Sequence, residues 1–158
     1  MPRKQPVVPS DKPTRLDGPT VADIIASLEP PRNTLLAALR DAALELAGAE
    51  ERAVYDGFCR EWTPAYYLGK RQLFHVHDFR GGLRATMYIG VRTLQPVILD
   101  SDEVSPDIRN HVAETSAGRG TKQVKFPLES MGEVTAFMKL VRVKWAALNG
   151  VTGPKTAE

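Results

Sequence analysis

The 158-residue chain predicts an α+β fold: an antiparallel sheet of four to five strands with helices packed on one face, an N-terminal helix pair and a long C-terminal helix. Three observations carry this expectation. Apolar residues recur at helical spacing near both ends of the chain. Between them, two segments alternate with period two around Gly81-Gly82, a pair suited to a hairpin turn. Hairpin connections of that kind exclude a parallel doubly wound sheet.

Residues 1–19 hold Pro2, Pro6, Pro9, Pro13 and Pro19, with only Val7, Val8 and Leu16 as sizeable apolar residues. Such a segment cannot bury enough surface to offset the entropy of ordering it. It is expected to be a disordered basic tail ahead of a single domain over 20–150, with 151–158 as a frayed end. Thr20 reads as a helix N-cap, Asp23 lies in the first turn, and Val21, Ile24, Ile25 and Leu28 form a stripe. Pro30-Pro31 ends that helix and starts the next, whose stripe is Leu35, Leu36, Leu39, Ala43 and Leu46, with Gly48 as its cap.

From Val54 the period changes. Trp62, Tyr66, Tyr67 and Leu68 read as a strand that Pro64 keeps irregular or at an edge. Gln72–Phe79 and Leu83–Ile89 form the hairpin. Leu94–Leu99 is expected as a further short strand, and Pro96 places it at an edge. Ser105-Pro106-Asp107 opens a helix over 106–114, by a capping hydroxyl, a proline at the first helical position and then an acid. Residues 116–120 read as a small-residue loop and Thr121–Leu128 as the last strand. Ser130 and Glu133 make a capping box for a terminal helix with the stripe Val134, Phe137, Met138, Val141, Trp145 and Leu148. Arg142 and Lys144 are expected on its wet side.

Hydrophobic residues make up 42% of the chain, enough for a real core, and the single cysteine, Cys59, cannot form an internal disulfide. The first residues are basic with no apolar run behind them, and no stretch approaches the ~18 apolar residues of a membrane span. These features point to a cytoplasmic protein with no membrane partner. The net charge of +2 is uneven: the first fifteen residues carry +3 and the rest −1. A nucleic-acid-binding domain wears its positive charge on a folded face. Sequence-specific nucleic-acid binding is therefore disfavoured, which leaves only weak association through the tail.

Several motifs together resemble the YdhG-like superfamily of small bacterial proteins, some described as frataxin-like iron chaperones. They are the opening Thr20-Val-Ala-Asp-Ile-Ile-Ala-Ser-Leu, the segment Tyr66-Tyr67-Leu68-Gly69-Lys70-Arg71 leading into Leu73-Phe74, and Gly120-Thr121-Lys122-Gln123-Val124-Lys125-Phe126-Pro127-Leu128 before the terminal helix. The resemblance covers roughly residues 20–148. It implies an α+β sheet-and-helix fold and, through the iron chaperones, a metal-handling alternative. It implies no reaction. Iron binding of the frataxin type leans on an acidic helix face or strand edge, and the longest acidic grouping here is Asp100, Asp102, Glu103 and Asp107.

The sequence shows no catalytic signature and calls for no cofactor. The hairpin does separate two faces. Phe74, Val76, Leu83, Ala85, Met87 and Ile89 are expected to pack on the helices. The other face would gather His75, His77, Arg84, Thr86 and Tyr88, joined by Gln123 and Lys125 if the last strand lies in the same sheet. That set predicts a weakly basic, hydrogen-bonding surface for an anionic small molecule or a protein partner. A plain solvated sheet face is the alternative. His75 and His77 could ligate one metal, but a third ligand from His111, Asp78 or Asp56 has no close spacing, so no metal site is assigned. Cys59, between Phe58 and Trp62, reads as a half-buried apolar thiol. Residues 118–122 only faintly resemble a phosphate loop and lack its spacing. An exposed edge at Leu94–Leu99 would permit a homodimer.

Overall fold

The computed structural model describes residues 18–79 and 82–150, with Asp78 and Phe79 described by their backbone alone. The elements are α1 (Val21–Ser27), α2 (Arg32–Leu44), β1 (Ala49–Asp56), β2 (Glu61–Leu68), β3 (Arg71–Phe79), β4 (Gly82–Gly90), α3 (Leu94–Leu99), α4 (Pro106–Glu114), β5 (Ala117–Gly118), β6 (Thr121–Pro127) and α5 (Met131–Leu148). The expected basic tail, apart from Gly18 and Pro19, lies outside the described residues, as do Gly81 of the hairpin turn and residues 151–158. Gly18 is packed rather than loose, since a Cβ there would overlap the Trp62 ring.

Local chemistry accounts for the helix starts. Thr20 Oγ1 accepts from the Asp23 N–H, and Asp23 Oδ2 accepts from the Thr20 N–H, closing a capping box on α1. Ser105 caps α4 at Ile108, with Pro106 just inside. Ser130 accepts from the Glu133 N–H, while the Glu133 carboxylate reaches back to the N–H of Glu129 rather than of Ser130. Ser130→Ala should lower stability by about 1 kcal/mol. The check is a lower urea midpoint with an unchanged slope.

The six strands form one antiparallel sheet in the order β1-β2-β3-β4-β6-β5. That is one strand more than the upper figure expected: β1, which begins just past the Gly48 cap, and the two-residue β5, within the expected loop, are added, and the strand expected at Leu94–Leu99 is lost. Pro64 pairs with Ala53 of β1, but β2 leaves β3 beyond Ala65, so its missing N–H interrupts no ladder on that side.

The strand expected at Leu94–Leu99 is instead helix α3. Pro96 sits in its first turn, where a helix makes no use of the N–H that proline lacks. Leu94 and Ile98 are buried together on one side. The strand edge proposed there for a homodimer does not exist; the sheet's edges are β1 and β5.

The core lies between the sheet and the helices. On β6, Lys122, Val124 and Phe126 are buried and the residues between them exposed. Phe74 packs edge-on against Phe137 of α5 (ring centroids 5.2 Å apart), which also meets Phe126 at 5.2 Å, and Tyr66 stacks on Phe74 at 4.9 Å. The buried Tyr66 hydroxyl donates to Glu51 Oε2 (2.8 Å), and Arg40 grips the same carboxylate through Nε and a terminal nitrogen, at 2.8 and 3.1 Å. Burial, with the Glu51 charge, holds the phenol protonated far above its ordinary range.

Two lysines are buried, and one of them, Lys144, departs from the wet position expected for it. Lys144 is buried and donates to the Tyr88 carbonyl (2.7 Å). Lys122 is buried and donates to the carbonyls of Val112 and Ala113, so its ammonium closes the C-terminal end of α4. The loop over 118–122 is therefore a turn between β5 and β6 and not a phosphate cradle. Among the described residues, no helix is long and apolar enough to cross a membrane.

Candidate functional site

The face of the sheet turned away from α2 and α5 carries the side chains the sequence singles out. Register dictates their grid. Ala65, His75, Thr86 and Lys125 form one row across β2, β3, β4 and β6; His77, Arg84 and Pro127 form the next; Tyr88 and Gln123 form a third. All seven expected residues, His75, His77, Arg84, Thr86, Tyr88, Gln123 and Lys125, thus share one face.

Their exposure is not uniform, and here the expectation of an outward-facing set is corrected. His75 is only 9% exposed, His77 5% and Thr86 1%. Arg84, Gln123 and Lys125 are exposed, and Tyr88 is 41% exposed. The register puts Asp56 on this face, since Arg52, four residues before it on β1, pairs with Ala65, and the Asp56 carboxylate reaches His77 of β3.

Asp56 organises that end. Its Oδ1 accepts from the backbone N–H groups of Phe58 (2.9 Å) and Cys59 (3.1 Å), which tightens the turn that Arg60 completes with φ 58°. Its Oδ2 accepts from His77 Nε2 at 2.7 Å. Burial pushes this carboxyl upward, but the His77 bond and the two backbone donors outweigh it and hold it below the usual carboxylate value. Cys59 is half-buried. Its thiol is held above the ordinary value, first by burial and then by the Asp56 and Glu61 charges, with Lys125 acting the other way. A carboxylate oxygen of Asp56 and a ring nitrogen of His77 lie within 4.8 Å of its sulfur. Phe58, its expected apolar neighbour, is 97% exposed.

His75 is a different imidazole. Its Nδ1 donates to Gln72 Oε1 at 2.6 Å, and the Gln72 amide in turn donates to the Tyr67 hydroxyl (3.3 Å). The ring meets His77 edge-on at 4.7 Å and lies 5.8 Å from Tyr88. Burial, then the neighbouring His77, lowers its pKa from 6.5 to about 4, so it is neutral at physiological pH. It can orient a ligand but cannot hold one by charge.

The donor atoms of Asp56, Cys59 and His77 all lie within 4.8 Å of one another. Asp56, one of the third ligands considered, does come near His77, but the group it forms takes Cys59 and not His75, so it is not the histidine pair that the sequence suggests. His111 sits on the opposite face, donating to the Lys125 carbonyl with its ring against Phe126. The side chain of Asp78 lies outside the described residues. Sequence reasoning missed the union of Asp56 and Cys59 with His77. The signal was present in the two-residue spacing of Asp56-Gly-Phe-Cys59, a turn that points two donors the same way. No family model, curated protein or solved structure matches the chain.

Proposed function

We propose that this chain is a non-enzymatic binding module that receives an anionic group, on a small molecule or a protein partner, at the exposed side of its open sheet face. One observation carries the reading. Arg84 and Lys125 are diagonal neighbours across β4 and β6, and among the described residues neither forms an ion pair. Two adjacent cations without a counter-charge favour an anion between them. Tyr88 and Gln123, directly opposite one another, flank the pair with a phenol and an amide for directional bonds. His75, neutral at physiological pH, contributes shape and hydrogen bonding rather than charge.

Calorimetry with inorganic phosphate and with a phosphorylated peptide tests this on the full chain. Binding should weaken with salt, and the Arg84→Ala/Lys125→Ala double variant should lose at least about tenfold in affinity, or about 1.4 kcal/mol. Equal binding by that variant, or no heat from either probe with the wild type, would reject the site. We further propose a cytoplasmic location, which the single unpaired cysteine supports. Membership of the YdhG-like superfamily is also a proposal, supported by Phe126-Pro127-Leu128 leading from β6 into α5.

A further inference from the structure

We infer that Asp56, Cys59 and His77 form a binding site for a borderline-soft divalent cation, zinc before all others. Three different donor types converge from two elements. Asp56 ends β1, Cys59 lies in the turn that follows, and His77 comes from β3 beneath them. Asp56 and Cys59 are separated by two residues on a tight turn, the spacing by which zinc turns present paired ligands. The carboxylate and a thiolate would supply two negative charges and the imidazole a neutral lone pair.

The donor set decides which metal. Magnesium and calcium take oxygen ligands almost entirely, whereas a thiolate and an imidazole beside a carboxylate select zinc and its chemical neighbours. The site also differs from an acidic iron-binding surface, which has no use for sulfur. Zinc bonds of about 2.0–2.3 Å set tetrahedral ligand atoms roughly 3–4 Å apart. Donors within 4.8 Å, with Asp56 and His77 at 2.7 Å, need only side-chain rotation to reach that spacing. Three protein ligands leave a fourth position for water or for an oxygen of an incoming anion. Arg84 pairs directly with His77 across β3 and β4, so such an anion would meet both the metal and the basic strip.

Binding requires the thiol to lose its proton to solvent and the His77 ring to give up the Nε2 proton that it donates to Asp56, a neutral ring taking up a proton at Nδ1 in exchange, so that Nε2 presents its lone pair. The hydrogen bond from His77 to Asp56 is then replaced by two bonds to the metal. Affinity therefore rises with pH.

Because Cys59 is the only cysteine, a thiol reagent reads this site alone. With the full-length, chelator-treated wild type, saturating zinc should slow Cys59 labelling by a disulfide reagent at least about tenfold. Cobalt should give a thiolate-to-metal charge-transfer band. Asp56→Asn and His77→Gln should each weaken zinc binding by about tenfold or more, Cys59→Ser should abolish the cobalt band, and His111→Gln should leave both unchanged. Labelling indifferent to zinc together with no cobalt band in the wild type would overturn the inference, whatever the variants do. So would zinc binding undiminished in Cys59→Ser. The wild-type measurements stand even if a substitution prevents folding.

Discussion

Phe137→Ala should lower the free energy of unfolding by about 3–5 kcal/mol, a drop of roughly 8–15 °C in Tm for a domain of this size. Phe137 is the ring at which the two halves of the core meet. It touches Phe74 of β3 and Phe126 of β6, and through Phe74 it is linked to Tyr66 of β2. The side chain is fully buried. Its loss removes the transfer free energy of a large apolar group and leaves a cavity bounded by strands that cannot collapse without breaking their register. Phe58→Ala, at a side chain 97% exposed in the β1–β2 turn, should fall within about 0.5 kcal/mol of wild type. Urea unfolding of the two variants side by side gives the comparison. A loss below about 1.5 kcal/mol for Phe137→Ala would mean that the sheet and α5 do not share one core.

Both phenylalanines are ordinary to the eye in sequence, yet only one could be placed from it. Phe137 falls on a helical stripe with Val134, Met138 and Val141, so its burial follows from period alone. The caps were equally legible, because Thr20, Ser105 and Ser130 satisfy N–H groups within three residues of themselves. Information of that range is local. The failures are of longer range. Ala49–Asp56 reads Ala-Glu-Glu-Arg-Ala-Val-Tyr-Asp, with helix-favouring residues and no alternation. It is a strand because it lies at the sheet edge with every residue but Glu50 half-buried, so pairing with β2, not its own pattern, decides its conformation. Leu94–Leu99 fits either a strand with an edge proline or a helix with a first-turn proline. Burial of Leu94 and Ile98 on one side settles it.

The candidate site shows the same limit. That His75, His77, Arg84, Thr86, Tyr88, Gln123 and Lys125 share a face follows from period two and from β6 joining β4. That His75 and His77 are covered does not follow, since the covering group is carried by the end of another hairpin. Asp56 and His77 are 21 residues apart in the chain. Their contact depends on β1 pairing with β2 and β2 with β3, a long-range register that no local pattern encodes. Once that pairing is in place, a surface expected to be one basic recognition patch divides in two: an end bearing Asp56 and Cys59, and a strip bearing Arg84 and Lys125.

Raising the pH from 8 to 10 should stabilise the wild-type protein relative to Lys144→Met by about 2–3 kcal/mol. Burial lowers the Lys144 pKa from 10.5 to about 8. Below pH 8 the ammonium is charged in both states, and the folded state bears the full cost of keeping that charge from water. Between pH 8 and 10.5 the folded protein has released the proton while the unfolded chain still holds it. More protons are then bound to the unfolded state, and stability rises with pH. The complete fall from 10.5 to about 8 corresponds to about 3 kcal/mol, most of it recovered by pH 10. A neutral amine still donates to the Tyr88 carbonyl, so the contact survives the titration. Two other groups act in the opposite direction. Cys59 and Tyr66 are both held protonated in the fold beyond their ordinary values, so the unfolded chain ionises first and stability falls as pH rises through the ordinary thiol and phenol ranges. Both are present in wild type and variant alike. The difference between the two denaturation curves therefore isolates Lys144. Curves that stay parallel from pH 8 to pH 10 would mean that this ammonium is hydrated, and that α5 does not seal the sheet at Tyr88.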